Sequence, residues 1–434
     1  MQSPRLQKSI VLYTKNKRYT NMFSKLTSKK IIPIYMVLNG LGSMVPSFLT
    51  VGFSITLFEK DTTGVSAAYL EPAGLLGIGC AGVLGGFLFR RFAPYTIGIC
   101  TVVFSALTLF CLLWHGEVNV RTCTITLFTL ACIMSIEHSN GLAFINSQIG
   151  AREKPFFFSN YQIFLQFFNV LAPLGAKTLM GALGFKALLF FCAFLYMLRI
   201  LPWQLFRSIK PTTQETAVQP FGILTGFKEI VQSPGLLRMT SFRIINHIAT
   251  VSYLIGLPIL VAKIANGNSQ TNAQLLSYSL SIINLGFILS GIMGSWLLKK
   301  RPELIILFFN ISPIFIVLAA VVAFYSMQPL YLQFTALIYG MGLYFFRTAN
   351  SIIGQALTKK EKLAHVILAG DAVVKSFAYV IGSLIPCCIV LPPIWDMAPP
   401  FVGCVLCSLL SLRMTKPITK LYLRSFSNGN SSTK

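Results

Sequence analysis

Of 434 residues, 54% are hydrophobic and 11% charged, and the mean hydropathy is +0.70, whereas a soluble domain devotes about a quarter of its residues to charge. That balance excludes an ordinary water-soluble domain. The 36 Lys and Arg against 12 Asp and Glu give a net charge of +24, yet no basic stretch is interleaved with aromatics on a soluble fold, which excludes nucleic acid as the partner.

In chain order, residues 1–30 hold eight basic and no acidic side chains, without the apolar core or small-residue cleavage site of a signal peptide. They read as a basic cytoplasmic segment ahead of an uncleaved signal anchor. Predicted spans follow at Ile31 to Phe58, Ser66 to Phe89, Pro94 to Trp114, Thr122 to Ile149, Ser159 to Leu183 and Lys186 to Phe206. Six more run Arg238 to Lys263, Ala273 to Leu298, Glu303 to Tyr325, Pro329 to Leu357, Leu363 to Leu391 and Met397 to Met414. Each approaches the roughly 20 apolar residues that cross about 30 Å of hydrocarbon. They lack period-2 alternation, so the backbone must satisfy itself as helices and not as a closed barrel. The expected fold is an all-α polytopic membrane protein of twelve helices in two pseudo-symmetric six-helix bundles. Its parts are a basic segment (1–30), a first bundle (31–207), a linker (208–237), a second bundle (238–414) and a tail (415–434). Within the linker, residues 221–232 space their apolar side chains for one face of a short helix. The tail from Ser425 to Lys434 is Ser- and Asn-rich and reads as disordered.

With twelve spans the two termini share a side, and that side receives 27 of the Lys and Arg against four opposite, Lys60, Arg121, Lys186 and Lys263. This positive-inside bias puts both ends in the cytoplasm. The ten cysteines lie almost entirely within spans, where a thiol packs as a small apolar group. No second Cys pair or His cluster accompanies Cys404 and Cys407, so neither a metal nor a cofactor is expected.

The halves repeat one another. Gly82-x-x-Gly85-x-x-Leu88-x-Arg90-Arg91 ends the second span, and Gly291-x-x-Gly294-x-x-Leu297-x-Lys299-Lys300 ends the eighth, 209 positions later. Asn146-Ser147-x-Ile149-Gly150 ends the fourth span, and Asn350-Ser351-x-Ile353-Gly354 ends the tenth, 204 positions later. Small residues three apart let helix backbones approach closely, and the basic pair that follows sits at the headgroups.

On these features the chain resembles the major facilitator superfamily from Ile31 to Met414. The run Gly226-Phe-Lys-Glu-Ile-Val-Gln-Ser-Pro-Gly-Leu-Leu-Arg238 is similar to the entry of span seven in efflux-type permeases, a branch of drug and siderophore exporters. Gly86, Leu88 and Arg91 match the family's joint after span two, while Arg90 stands where that motif has an acid. The resemblance implies gating roles for Gly86, Arg90, Arg91, Lys299 and Lys300. It also implies a cavity lined by spans 1, 4, 7 and 10.

Ionisable groups in hydrocarbon cost a few kcal/mol each and are functional candidates by default. Glu71, Lys177 and Arg199 lie toward span ends and are expected to snorkel. Deeper stand Glu137 and His138 in span four, Arg347 in span ten, Asp371 with Lys375 in span eleven, and Arg243 and His247 in span seven. Asp371 and Lys375 are four apart on one helix face and can pair privately. The candidates for proton coupling are Glu137, His138 and Asp371, because burial and a movable Arg neighbour shift a carboxyl in opposite directions. Those for substrate binding are Arg347, Arg243, Lys375 and Asn39, with Arg347 the best fork for a carboxylate or phosphate. Tyr344, Phe345, Phe346, Phe164, Phe167 and Phe168 supply aromatic surface for an amphipathic solute or for helix packing.

The expectation is a secondary transporter that exports a small amphipathic or anionic solute against protons, a monomer in the bacterial inner (plasma) membrane. The alternative is an importer of a siderophore, metal chelate or metabolite on the same fold. An enzyme is disfavoured, since no Ser/His/Asp, His-x-x-x-His or phosphate-loop arrangement occurs on any span.

Overall fold

A computed structural model of the chain describes residues 28–148, 154–206, 223–301, 304–325, 328–357, 369–370, 373–374, 381 and 398–431. The first half holds α1 (Ser28–Lys60), α2 (Val65–Ala68), α3 (Leu70–Arg91), α4 (Pro94–His115), α5 (Val120–Gln148), α6 (Lys154–Leu198) and α7 (Ile200–Phe206). Then come α8 (Ile223–Gln232), α9 (Pro234–Ile264), α10 (Ser269–Lys300), α11 (Leu304–Tyr325), α12 (Pro329–Leu357) and α13 (Ala398–Ser431). Among the described residues, nine helical stretches are long and apolar enough to cross a membrane. One of them, Ile163–Phe206, is a hairpin pair, because Gly184 at φ 81° and ψ 176° breaks α6 into two legs. The fold is that of an all-α polytopic membrane protein.

Helix ends follow from local chemistry. Pro94 begins α4 at its first turn, and Gly116 ends it at φ 74°, donating its N–H to the Leu112 carbonyl at 3.2 Å. Asn268 caps α10 by accepting the Thr271 N–H at 3.0 Å, and Lys299 and Lys300 offset the dipole at the other end. The linker helix forms as α8, with Ile230 buried against Leu236 and Ala369. The expected disordered tail needs correction, because α13 continues through Pro417 to Ser431. Past Met414 the chain becomes basic, but Thr415 and Ile418 are still buried, the latter in a core with Phe309 and Phe346. The predicted eleventh span lies largely outside the described residues.

Within the first half α1 packs on α6 and α3 on α5; within the second, α12 packs on α10 and α11, and α9 on α13. Two of these crossings are the same crossing repeated. A Cβ at Gly77 of α3 would strike the Phe128 carbonyl of α5, and a Cβ at Gly286 of α10 would strike the Leu337 carbonyl of α12. Both members of each pair stand 209 positions apart, extending the glycine repeat by a turn. Backbone-to-backbone approach of this kind is how helices associate where lipid gives no hydrophobic drive.

The halves meet along two seams. Midway, Ser281 of α10 donates to the Val170 carbonyl at 2.8 Å and Asn284 to the Asn169 carbonyl at 3.1 Å. At the face opposite the basic joints, Gly64 (φ 79°) lies against the Pro258 backbone, and Phe58, Ala67, Ala68 and Leu75 share a core with Ile255, Leu257 and Ile259 of α9. Asp61 organises this turn by accepting the Thr63 N–H at 3.0 Å and the Ser66 N–H at 2.9 Å. Partial burial pushes its carboxyl up, but the Ser66 and Thr63 hydrogen bonds outweigh that and hold it below the ordinary carboxylate value. The turn is therefore stabilised at neutral pH and loosens only as pH falls through that lowered value.

Gly74 and Gly77 share α3, yet a Cβ at Gly74 meets nothing within 4 Å. Gly77→Ala should lose about 1–3 kcal/mol through overpacking, while Gly74→Ala should be neutral or stabilising. Thermal unfolding of the two variants in detergent compares them; equal midpoints would remove the close crossing as a determinant of the fold.

Candidate functional site

Four helical segments of the first half bring their polar groups to one buried point. Glu137 comes from α5, 1% exposed, and Arg199 from the turn between α6 and α7, 3% exposed. The guanidinium Nη2 lies 3.1 Å from the Glu137 Oε1. Trp203, four residues past Arg199 and so on the same helix face, donates its indole N–H to that oxygen at 3.0 Å. From α1, Asn39 accepts from Arg199 through its amide oxygen and donates through its amide nitrogen to the Tyr161 hydroxyl on α6. Tyr35, Trp203 and Phe206 close the cluster with edge-on and tilted ring contacts.

Small residues make the room. A Cβ at Gly42 would strike the Arg199 side chain, one at Gly141 the Tyr35 hydroxyl, and one at Gly98 the Trp203 ring. Even so the pair is not fully satisfied: Glu137 Oε2 and Arg199 Nη1 have no hydrogen-bond partner among the described residues. In a dry bundle such a gap is costly and favours any event that changes the charge of either group.

The second half repeats the frame without the charge. Tyr35-x-x-x-Asn39 on α1 corresponds to Phe242-x-x-x-Asn246 on α9, 207 positions on. Asn246 accepts from Ser411 of α13 at 3.3 Å, so the helix partner is kept while Ser replaces Arg. Beside it, Tyr253 and Tyr339 stack at 4.2 Å, Tyr253 donating to Thr335 at 3.2 Å and Tyr339 to the Thr250 carbonyl at 2.7 Å.

The other candidates are dispersed. His138 stacks on Tyr161 at 6.3 Å and joins the rim of the Glu137 cluster. Arg243 borders Gly370. Arg347 has its guanidinium 5.5 Å from the centre of the Phe287 ring. Asp371 and Lys375 lie outside the described residues. Of the gating set, Arg91 covers Phe87 at 4.4 Å and Lys300 covers Trp296 at 4.0 Å, while Lys299 is exposed. The side chains of Gly86 and Arg90 lie outside the described residues. Lys177 stands 5.6 Å over Tyr278.

Arg199 does not snorkel: its carboxylate partner is 62 positions upstream in sequence and in direct contact. Arg199, Trp203, Tyr35 and Gly42 join the candidate site, and sequence reasoning did not single them out for it. The i, i+4 spacing of Arg199 and Trp203 and the Tyr/Phe-x-x-x-Asn repeat were the signals that could have found them.

The sequence pattern of the Major Facilitator Superfamily matches residues 31–383. No curated protein matches the chain.

Breaking a buried pair by removing one partner strands the other's charge. Glu137→Leu and Arg199→Met should each destabilise the protein by about 3–5 kcal/mol, and the double variant should recover most of that loss. A double-mutant cycle on unfolding in detergent measures it; additive losses would mean the two charges do not depend on each other.

Proposed function

The chain belongs to the Major Facilitator Superfamily, and from that premise we propose that it is a proton-coupled secondary transporter of a small amphipathic or anionic organic solute, working as an exporter. The observation that supports this reading is the buried Glu137–Arg199 pair with one unsatisfied oxygen and one unsatisfied nitrogen. A proton arriving at Glu137 would cancel its charge and release Arg199, and a departing proton would restore the pair. Arg199 stands on a turn between two helical segments, where its backbone N–H donates to the Tyr196 carbonyl at 2.9 Å. It is thus placed where a small backbone change moves its guanidinium. Asn39 on α1 reports that change directly, since it hydrogen-bonds Arg199.

In this mechanism the halves rock about a midplane site, and protonation biases which side is open. The bias of basic joints supports a cytoplasmic setting for the face carrying Arg91, Lys299 and Lys300. The seam around Gly64 and Pro258 then closes the outer face, so the conformation suits loading from within. Arg347 serves as the anion ligand of the solute and His138 as a second proton site beside Glu137.

The experiment uses purified protein in proteoliposomes, with solutes first chosen by their thermal stabilisation of the folded state. Glu137→Gln keeps a side-chain oxygen for Trp203 and Arg199, and it should still bind and exchange solute while losing flux driven by an imposed proton gradient. Driven flux unchanged from wild type would remove Glu137 from coupling. A deletion strain that accumulates the solute marks export; one that starves for it marks import.

A further inference from the structure

The outward face of α13 changes chemistry partway along the helix, and the Glu137 pair makes no use of it. Cys404, Ser408, Ser411, Thr415 and Ile418 are buried and recur three and four apart, which makes them one packed stripe. On the opposite side Val402, Leu406, Leu409, Arg413, Lys416 and Lys420 recur at the same spacing, and all are exposed. Three aliphatic turns are followed by three cationic ones. At the cationic levels the packed side carries Ser411, Thr415 and Ile418, none of them charged. A topology signal needs only a number of cations near a span end and does not align them on one stripe.

Packing fixes the level of these cations. Ile418 shares a core with Ile305, Leu297 and Leu298, which flank the basic joint Lys299-Lys300-Arg301, and a Cβ at Gly235, at the start of α9, would lie 3.9 Å from Leu421. The cationic stretch therefore stands where α9, α10 and α11 also begin or end. From Arg413 to Lys420 it rises about 10 Å along the axis. Like charges three and four apart on a helix repel one another, and among the described residues no ion pair, hydrogen bond or ring contact involves the side chains of Arg413, Lys416 or Lys420. A counter-charge from outside the chain relieves that repulsion.

We infer that the Arg413, Lys416 and Lys420 stripe of α13 is a docking surface for the headgroups of anionic phospholipids, whose acyl chains lie along Val402, Leu406 and Leu409. One lipid molecule complements both parts of the stripe, since its tails match the aliphatic turns and its phosphate matches the cationic ones. Lys and Arg stems bridge the two levels by snorkelling, and the Arg413 fork can donate two hydrogen bonds to a phosphate. An anionic leaflet attracts such a segment, a zwitterionic one far less. On the packed side of the same helix Ser411 hydrogen-bonds Asn246 of α9 at 3.3 Å. Lipid held on the outward stripe thus steadies α13 against α9. This surface depends on the membrane fold alone, not on proton coupling or on any solute.

The test titrates the purified full chain, in micelles of a neutral detergent, with dioleoylphosphatidylglycerol or with dioleoylphosphatidylcholine. Affinity is read from the saturable rise of the thermal unfolding midpoint. The anionic lipid should bind about tenfold or more tightly than the zwitterionic one, and raising salt from about 0.1 M to about 1 M should remove the difference, because the Debye length falls from about 10 Å to about 3 Å. Glycerol 3-phosphate, a headgroup without tails, should not stabilise the protein. Replacing Arg413, Lys416 and Lys420 together by Gln should weaken phosphatidylglycerol binding by about fivefold per cation removed, with the lipid-free midpoint unchanged. The charge-keeping exchange Arg413→Lys, Lys416→Arg and Lys420→Arg should retain binding. If the triple Gln variant is less stable without lipid, Lys416→Gln and Lys420→Gln made singly carry the comparison. Equal affinity for the two lipids would overturn the docking surface, and so would Gln variants that bind phosphatidylglycerol as wild type does. Stabilisation by glycerol 3-phosphate as strong as by the lipid would overturn it too, in favour of a free-phosphate site.

Discussion

The cost of holding a charge in hydrocarbon is the constraint from which the rest of this molecule follows. Few ionisable groups can be afforded away from water, so each must be paired, wetted or carried to a headgroup. The chain uses two of these solutions at different places. Arg91 and Lys300 lie over aromatic rings at helix ends. Glu137 and Arg199 pair in a dry pocket. Helix order, hairpin breaks and glycine crossings are arranged so that each of these groups reaches its solution.

Duplication supplied the scaffold, and divergence supplied the chemistry. Gly77 and Gly286 make equivalent backbone crossings, and Asn39 and Asn246 occupy equivalent turns on α1 and α9. What differs is the group each asparagine meets. In the first half it is Arg199, with a carboxylate behind it; in the second it is Ser411, a neutral hydroxyl. A neutral hydrogen bond carries no proton-dependent charge, so a proton switch of this design can exist in one half only. On the proposed coupling, the asymmetry would confine the response to protonation to the first half.

Much of the fold was legible because hydrocarbon length and the distribution of Lys and Arg are one-dimensional properties. Gly184, Gly116 and Pro94 mark their turns in the sequence for the same local reasons that they make them in space. The site was less legible. Glu137 stood out by depth alone, but depth along a helix does not say which neighbour it faces, and Arg199 was assigned to the headgroups by its distance from a helix end. The contact between them depends on how α1 and α4 hold α5 and the turn after α6 together, where glycines at 42, 98 and 141 leave room for Arg199, Trp203 and Tyr35. Absence of a side chain is a weak signal in a list of letters and a strong one in a packed bundle.

The ion pair and the seam at Gly64 sit toward opposite ends of α1, which connects them mechanically. Asn39, on the part of α1 toward the basic joints, holds Arg199, whereas Phe58 near its other end is fully buried in the core shared with α9. A helix is stiff over such a length, so displacement of Asn39 when Arg199 changes partner must be absorbed as bending, as tilt or as repacking at Phe58. Pro46 within α1 removes one backbone hydrogen bond and makes bending the least costly of the three. If α1 bends there, the seam at Gly64 and Pro258 can stay closed while the opposite end opens; if it tilts as a rod, the seam must give way. The proposed proton coupling would need the second behaviour in one protonation state and the first in the other, and a single proline-hinged helix touching both the ion pair and the seam can deliver either.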